Sequence, residues 1–562
     1  MNPIPNKKLP ADSQAFEDFD YIRSGGKEYP NFQLSLFGWW RKEHGFGCKS
    51  IIDHDIDFFS DLVNRHDMPD RLAIEWLKSG ARQTLSYSEL RASILLQEGQ
   101  WPSTLQPGQT VAIVSADPVR RIVTLMAALR RGLVATVIPA TGPSRLAYNL
   151  TAVDCQHLLV DPGYWSWVPA EWKTRLVLPT AAGKPTGHAS FCYPKDAIAL
   201  RTLDPWIENG GIHALRASEL FTTLIRDGYR ILGMTRGARL AWCPDSGDEG
   251  PFLELATLLC GGTITLLDEH HAEASWRLLF EAEHHAVRIS RRLIECYVQL
   301  ATAGGKPPNW RRWFRHPVES IDPSPWLQFT QQCSLETIPQ AQLAWSATSG
   351  GICLGSVWSP DIGNWRLYPP SGLVWQLGQV GEPGRRTLSD FGRLCLFETS
   401  EAEPVPLPTP FMLSKSGDAF RFVGCYPAGR QGRPYPREVV SQALRRAGAW
   451  HAIIEIPNVN GLETPSYTLL GFMEDRTASE LVSLLEREVG TDAIPDDIVM
   501  IPLVPRLLED GSIDEAWIQT AYLNGEYDHR IRHPVHQAIS RFKLALLGCP
   551  DQAIYQQPEP PK

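Results

Sequence analysis

The chain has 562 residues, 43% hydrophobic and 21% charged, with a formal net charge of -9. That length allows a large core and more than one domain. The acidic balance argues against a nucleic-acid partner, because phosphate binding needs a basic face. Eleven cysteines are scattered without a Cys-x-x-Cys pair, which suits a reducing cytoplasm better than a disulfide framework. The opening residues, Met1 to Lys8, lack the apolar run of a signal peptide. The longest apolar region, Ile122 to Pro139, is interrupted by Arg130-Arg131 and is too short to span a bilayer. A cytoplasmic protein without a membrane span is expected.

In chain order, residues 1–45 are polar and irregular and end near Trp39-Trp40, which reads as an extension packed on the body. Val111–Val114 is a strand of the buried type. Ile122, Leu125, Met126 and Leu129 then recur at helical spacing within Val119–Arg131, and Gly132 stops that helix. Leu133–Ile138 is a strand, Arg145–Leu150 begins a helix and His157–Val160 is a strand. This alternation predicts parallel strands with covering helices. A second such stretch holds a strand at Asp196–Leu200, a helix at Ala217–Asp227, a strand at Leu240–Cys243, a helix at Phe252–Leu259 and a strand at Thr263–Leu267. Beyond Trp345 the chain is richer in Gly and Pro and reads as β. A smaller α+β unit follows, with helices at Arg437–Ala447 and Ala478–Val489 and strands at Ala452–Ile456 and Tyr467–Phe472. The expected organisation is an extension (1–45), a large domain (46–424), a small domain (425–525) and a tail (526–562). The fold class is α/β, with parallel-rich sheets and a β-rich subdomain in the large domain.

Three stretches carry a family resemblance. They are Leu85-Ser-Tyr-Ser-Glu-Leu90, Leu105-Gln-Pro-Gly-Gln-Thr-Val-Ala-Ile113, and Leu125-Met-Ala-Ala-Leu-Arg-Arg-Gly-Leu-Val-Ala135 with Pro139 and Leu158–Val160. Their order and spacing resemble the N-terminal part of the adenylate-forming superfamily: acyl-CoA synthetases, peptide-synthetase adenylation domains and luciferases. The likeness continues to about Asp514. It implies a large N-terminal domain and a small mobile C-terminal domain. These would build an acyl-adenylate from a carboxylate and ATP, then pass the acyl group to a thiol. ATP brings about four negative charges, normally offset by glycine-rich amides, a lysine and carboxylate-held Mg²⁺.

Matched motif by motif, this chain keeps the outline and loses the charges. In the phosphate-loop region, Thr202 and Gly211 match, the lysine position is Gly210, and Asp204 and Glu208 add negative charge. An ordinary surface loop accounts for this segment as well. Upstream, Gly183-Lys-Pro-Thr-Gly187 is a Gly-rich run, but His188–Pro194 does not open a helix to bind phosphate. Trp242, Pro244, Asp248 and Gly250 match an acyl-site motif whose histidine is here Gly247; a strand end with a tight turn is the other reading. Trp345 and Thr348 match the adenine and magnesium motif, but its glutamate is Ser349, a poor ligand for a hard dication. Core packing is the alternative for Trp345. Ser414-Lys-Ser-Gly-Asp418 resembles the ribose motif, or is a turn before a strand. The hinge arginine is Cys425, its aspartate Pro427, and the C-terminal lysine Ser512.

The resemblance therefore implies nucleotide contacts at Trp345, Thr348, Asp418 and Thr202, and substrate contacts at Trp242 and Asp248. No catalytic residue and no metal ligand is assigned. One reading is a non-catalytic or repurposed member that binds an acyl or aryl carboxylate or thioester, a carrier protein or a partner enzyme. The alternative is an active acid–thiol ligase using ATP, AMP and Mg²⁺ with non-standard contacts, Lys184 or Lys415 replacing the lost lysines. His270-His271 and His284-His285 are expected on exposed helix faces, where adjacent histidines diverge and cannot share a metal. Arg311-Arg-Trp-Phe-Arg315 is expected on a solvated face.

Overall fold

A computed structural model describes residues 55–179, 185, 187–204, 211–243, 251–268, 271–300, 308–317, 324–360, 366–370, 375–378, 390–397, 406–416, 419–425, 429–430, 433–456, 466–472, 476–508 and 511–527. The extension over 1–45 and nearly all of the tail over 526–562 lie outside them. The chain forms two compact units, Met1–Pro139 with Asn149–Tyr426, and Ala140–Tyr148 with Pro427–Lys562.

Among the described residues the large unit begins with the helix Phe58–Leu62, followed by an antiparallel hairpin, β1 (Leu72–Lys78) and β2 (Ala81–Ser86). Ser86 then starts the helix Tyr87–Gly99 through a reciprocal capping box with Glu89. Strands β3 (Thr110–Val114), β4 (Val134–Ile138) and β5 (His157–Val160) follow, with the helix Pro118–Arg131 between the first two. Asp117 caps that helix by accepting from Val119 and Arg120 N–H, proline occupies its first turn, and Gly132 ends it at φ 83°. The hairpin β6 (Ile198–Asp204) and β7 (Gly211–Arg216) completes a five-stranded sheet in the order β5-β3-β4-β6-β7. Only β7 runs antiparallel to its neighbour.

The second sheet takes β8 (Arg239–Trp242), β9 (Thr263–Leu266), β10 (Ala286–Arg288), β11 (Trp313–Arg315) and β12 (Gln340–Ser346). These pair in parallel in the order β12-β11-β10-β8-β9 and continue into β1. Burial alternates along them: Leu240, Trp242 and Phe314 belong to one core cluster, Ala241, Cys243 and Trp313 to another, so helices cover both faces. From β12 the sheet turns antiparallel through β13 (Gly351–Ser356), β14 (Leu367–Tyr368), β15 (Trp375–Gly378), β16 (Phe391–Phe397), β17 (Pro406–Ser416) and β18 (Ala419–Cys425). Thirteen strands result.

The small unit is built on β21 (His451–Ile456), β22 (Ser466–Gly471) and β23 (Asp497–Met500), preceded by a two-residue ribbon of β19 (Gly429–Arg430) and β20 (Arg433–Pro434). Ile453, Leu469 and Ile498 pack with helices Arg437–Arg446 and Ala478–Glu488, while Ile454, Leu470 and Val499 pack with helix Glu515–Leu523.

The segment matched to the family's phosphate loop joins two antiparallel strands, β6 and β7. Two expectations are corrected. His284 and His285 are buried, in the turn before β10, because the helix Ala272–Glu281 has already ended. Arg315 is only 1% exposed; it donates to Gln340 Oε1 at 3.0 Å and lies over the Trp326 ring, so of the cluster only Arg311 is exposed.

Candidate functional site

Two hairpin ends of different sheets meet in the large unit. In the register of β6 and β7, Thr202 faces His213. The Thr202 hydroxyl donates to Ala347 O at 2.9 Å, and His213 Nε2 lies 3.3 Å from Thr348 Oγ1. The nucleotide-motif residues Thr202 and Thr348 are thus brought together, joined through the turn between β12 and β13. His213 was not among the residues expected here. A lone histidine on a strand carries no motif, and only pairing across the hairpin brings it to Thr348.

The 346–351 turn is closed on itself. Thr348 N–H donates to Ser346 Oγ at 3.2 Å, and Ser349 N–H donates to Ser346 O at 3.2 Å. The Ser349 hydroxyl reaches Gly351 O at 2.7 Å and Ser346 O at 3.1 Å. Ser349, expected at the place of the family's magnesium-binding glutamate, is a turn-closing hydroxyl. Two glycines are sterically required. Gly350 has φ +64° with Leu215 packed on it, and a Cβ on Gly351 would sit 2.2 Å from Asp227 Oδ2.

Behind the turn, residues 226–231 widen into a π-helical stretch after the helix Ala217–Ile225, an irregularity frequent at functional sites. It turns Arg226 and Asp227 inward. The two form an ion pair at 2.7 Å, and both are buried. Asp227 accepts from Ile352 N–H at 2.7 Å, while Arg226 donates to Ile352 O at 2.8 Å. The pair thereby holds β13 next to the irregularity of its pairing with β12 at Ala344/Trp345. Burial raises the Asp227 carboxyl above its ordinary value, and the Arg226 charge opposes that shift.

Trp345 is the penultimate residue of β12, 4% exposed, with its ring tilted against Phe314 at 5.7 Å. Trp242 ends β8 and is fully buried. Among the described residues, neither buried indole N–H has a hydrogen-bond partner, an arrangement that costs about 1–3 kcal/mol unless something accepts from them. Asp248 and Asp418 lie outside the described residues, as does Lys184. Lys415 is described and exposed on β17. In the small unit, Ser512 is exposed on a tight hairpin closed by Leu508 N–H donating to Ser512 O at 2.7 Å, with Gly511 at φ 82°. Among the described residues, no group of three His, Cys, Asp or Glu side chains could hold a metal, and no helix is long and apolar enough to cross a membrane.

No protein-family model and no curated protein matches this chain. Solved structures do match. The amide bond synthetase McbA from Marinactinospora thermotolerans aligns over 83% of this chain and 99% of its own, at TM-score 0.63 and 15% identity. The fatty acyl-adenylate ligase from L. pneumophila, in complex with acyl adenylate and pyrophosphate, aligns over 82% and 95%, at TM-score 0.60 and 13% identity. A double mutant of o-succinylbenzoate CoA synthetase (MenE) from Bacillus subtilis, bound with a product analogue, aligns over 82% and 98%, at TM-score 0.61 and 13% identity. All are members of the adenylate-forming superfamily. The fold of this chain is the adenylate-forming fold.

Proposed function

We propose that this chain is a repurposed adenylate-forming-fold protein. It binds an acyl or aryl group, as a carboxylate or as a thioester on a carrier protein, without activating it by ATP. One observation carries this reading: no lysine occurs between Lys415 and Lys543, so the lysine lost at Ser512 has no substitute in any described residue of the small unit. A positioned charge of that kind contributes roughly a hundredfold or more to rate. The hydroxyl at Ser349 is committed to its own turn, which removes the magnesium carboxylate as well. The orphaned Trp345 and Trp242 N–H groups support a ligand that supplies acceptors, as a carbonyl or carboxylate would. ATP–pyrophosphate exchange over a panel of carboxylates tests the reading, alongside calorimetry with Mg-ATP and with the acids alone. The proposal expects no exchange and measurable binding of an acid or thioester; robust exchange abolished by Asp418→Ala would sink it.

A second reading, an active ligase with non-standard ATP contacts, is favoured by His213, whose ring lies against Thr348. It expects exchange that disappears in His213→Ala.

A further inference from the structure

A cleft lies at the other edge of the large sheet. Because β8, β10 and β11 are parallel, their amino ends share one edge, while Trp242 and Trp345 lie at the carboxyl ends of β8 and β12. Four-residue strands separate the two edges by roughly 13 Å. At the amino edge, Thr235, Arg236, Arg239, Glu283, His285 and Arg311 line a cleft of about 220 Å³. Three arginines and one glutamate are among these lining residues, in a chain whose net charge is -9.

His285 is 8% exposed; its ring hydrogen-bonds to the backbone at Leu232 and Gly233, and among the described residues its Nε2 has no hydrogen-bond partner. Arg311 donates through both Nε and Nη2 to a single oxygen, Glu283 Oε1, at 3.1 and 3.0 Å. That pair is more than half exposed on both sides, and such pairs exchange partners at little cost. Arg239 is anchored from behind by the fully buried Glu75 at 3.3 Å, which Arg82 also contacts. Arg65 and Arg71 add positive charge on the Arg236 side, where all three act on the buried His66 ring.

We propose that this cleft binds a phosphoryl dianion, held by the forks of Arg236, Arg239 and Arg311. Guanidinium groups match phosphate oxygens two at a time, and the volume leaves room for several further atoms of an ester. Burial first, then Arg312 and Arg311, push the His285 ring down to about 4; a bound dianion reverses the electrostatic part of that depression.

The test is calorimetric titration of the full chain at low ionic strength with inorganic phosphate and, separately, with glycerol 3-phosphate. One saturable site is expected. Arg311→Ala should weaken it about tenfold, by loss of a charge-assisted bond, and Glu283→Gln should tighten it several-fold by removing the competing carboxylate. Tighter binding of the ester identifies a phosphate monoester as the occupant, and equal or weaker binding identifies free phosphate. No saturable binding of either, or affinities unmoved by both substitutions in variants whose melting curves match the wild type, overturns the proposal.

Discussion

Replacing Arg226 with methionine tests how the β12–β13 turn is held. Arg226 and Asp227 are 5% and 2% exposed, and between them they engage both polar backbone groups of Ile352. Removing the guanidinium strands a carboxylate in the core, which typically costs about 3–5 kcal/mol. In Arg226→Met/Asp227→Asn no charge is stranded, and the Asn amide oxygen can still accept from Ile352 N–H. The double variant then lacks mainly the bond to Ile352 O, worth about 1 kcal/mol, so it should lie about 1–2 kcal/mol below wild type. Urea unfolding followed by tryptophan fluorescence measures these differences. The pH dependence has a fixed sign. An acid whose folded value is raised is penalised as pH climbs above its unfolded value, here 3.8. The deficit of Arg226→Met should therefore shrink as pH is lowered toward 4. A single-variant cost under about 1 kcal/mol, or a double variant as unstable as the two singles added, would refute the clamp.

Gly351→Ala places a Cβ 2.2 Å from Asp227 Oδ2 and 2.5 Å from Thr223 Cγ2. It should destabilise by about 1–3 kcal/mol, read as a lower urea midpoint. Ser349→Glu should cost about 1–2 kcal/mol by breaking the turn-closing hydroxyl bonds and should not by itself produce pyrophosphate exchange. His284 and His285 are each held down to about 4, chiefly by burial. The folded state excludes protons that the unfolded chain binds near 6.5, so stability should fall as pH drops from 6.5 toward 4, by about 3 kcal/mol per histidine; the buried His66 ring, held down to about 2, extends the fall below 4. Urea midpoints measured across that window check this, and His284→Asn should flatten the slope.

Local chemistry was enough for much of this architecture. The helix Pro118–Arg131 was readable from its apolar spacing and Gly132, and Phe252–Leu259 was read with the bounds it has, because caps and periodicity act within a few residues of chain. The resemblance carried by Leu105–Ile113 and Leu125–Ala135 pointed to the adenylate-forming fold, since those residues form two adjacent parallel strands and the helix between them. Other features depended on partners distant in sequence. Arg315 read as a solvated charge because burying it is costly unless a partner waits, and that partner, Gln340, lies on the neighbouring strand. His213 meets Thr348 across 135 residues, and Asp227 meets Ile352 across 125. Contacts over such distances leave no local pattern, because strand order and hairpin placement alone determine which side chains approach.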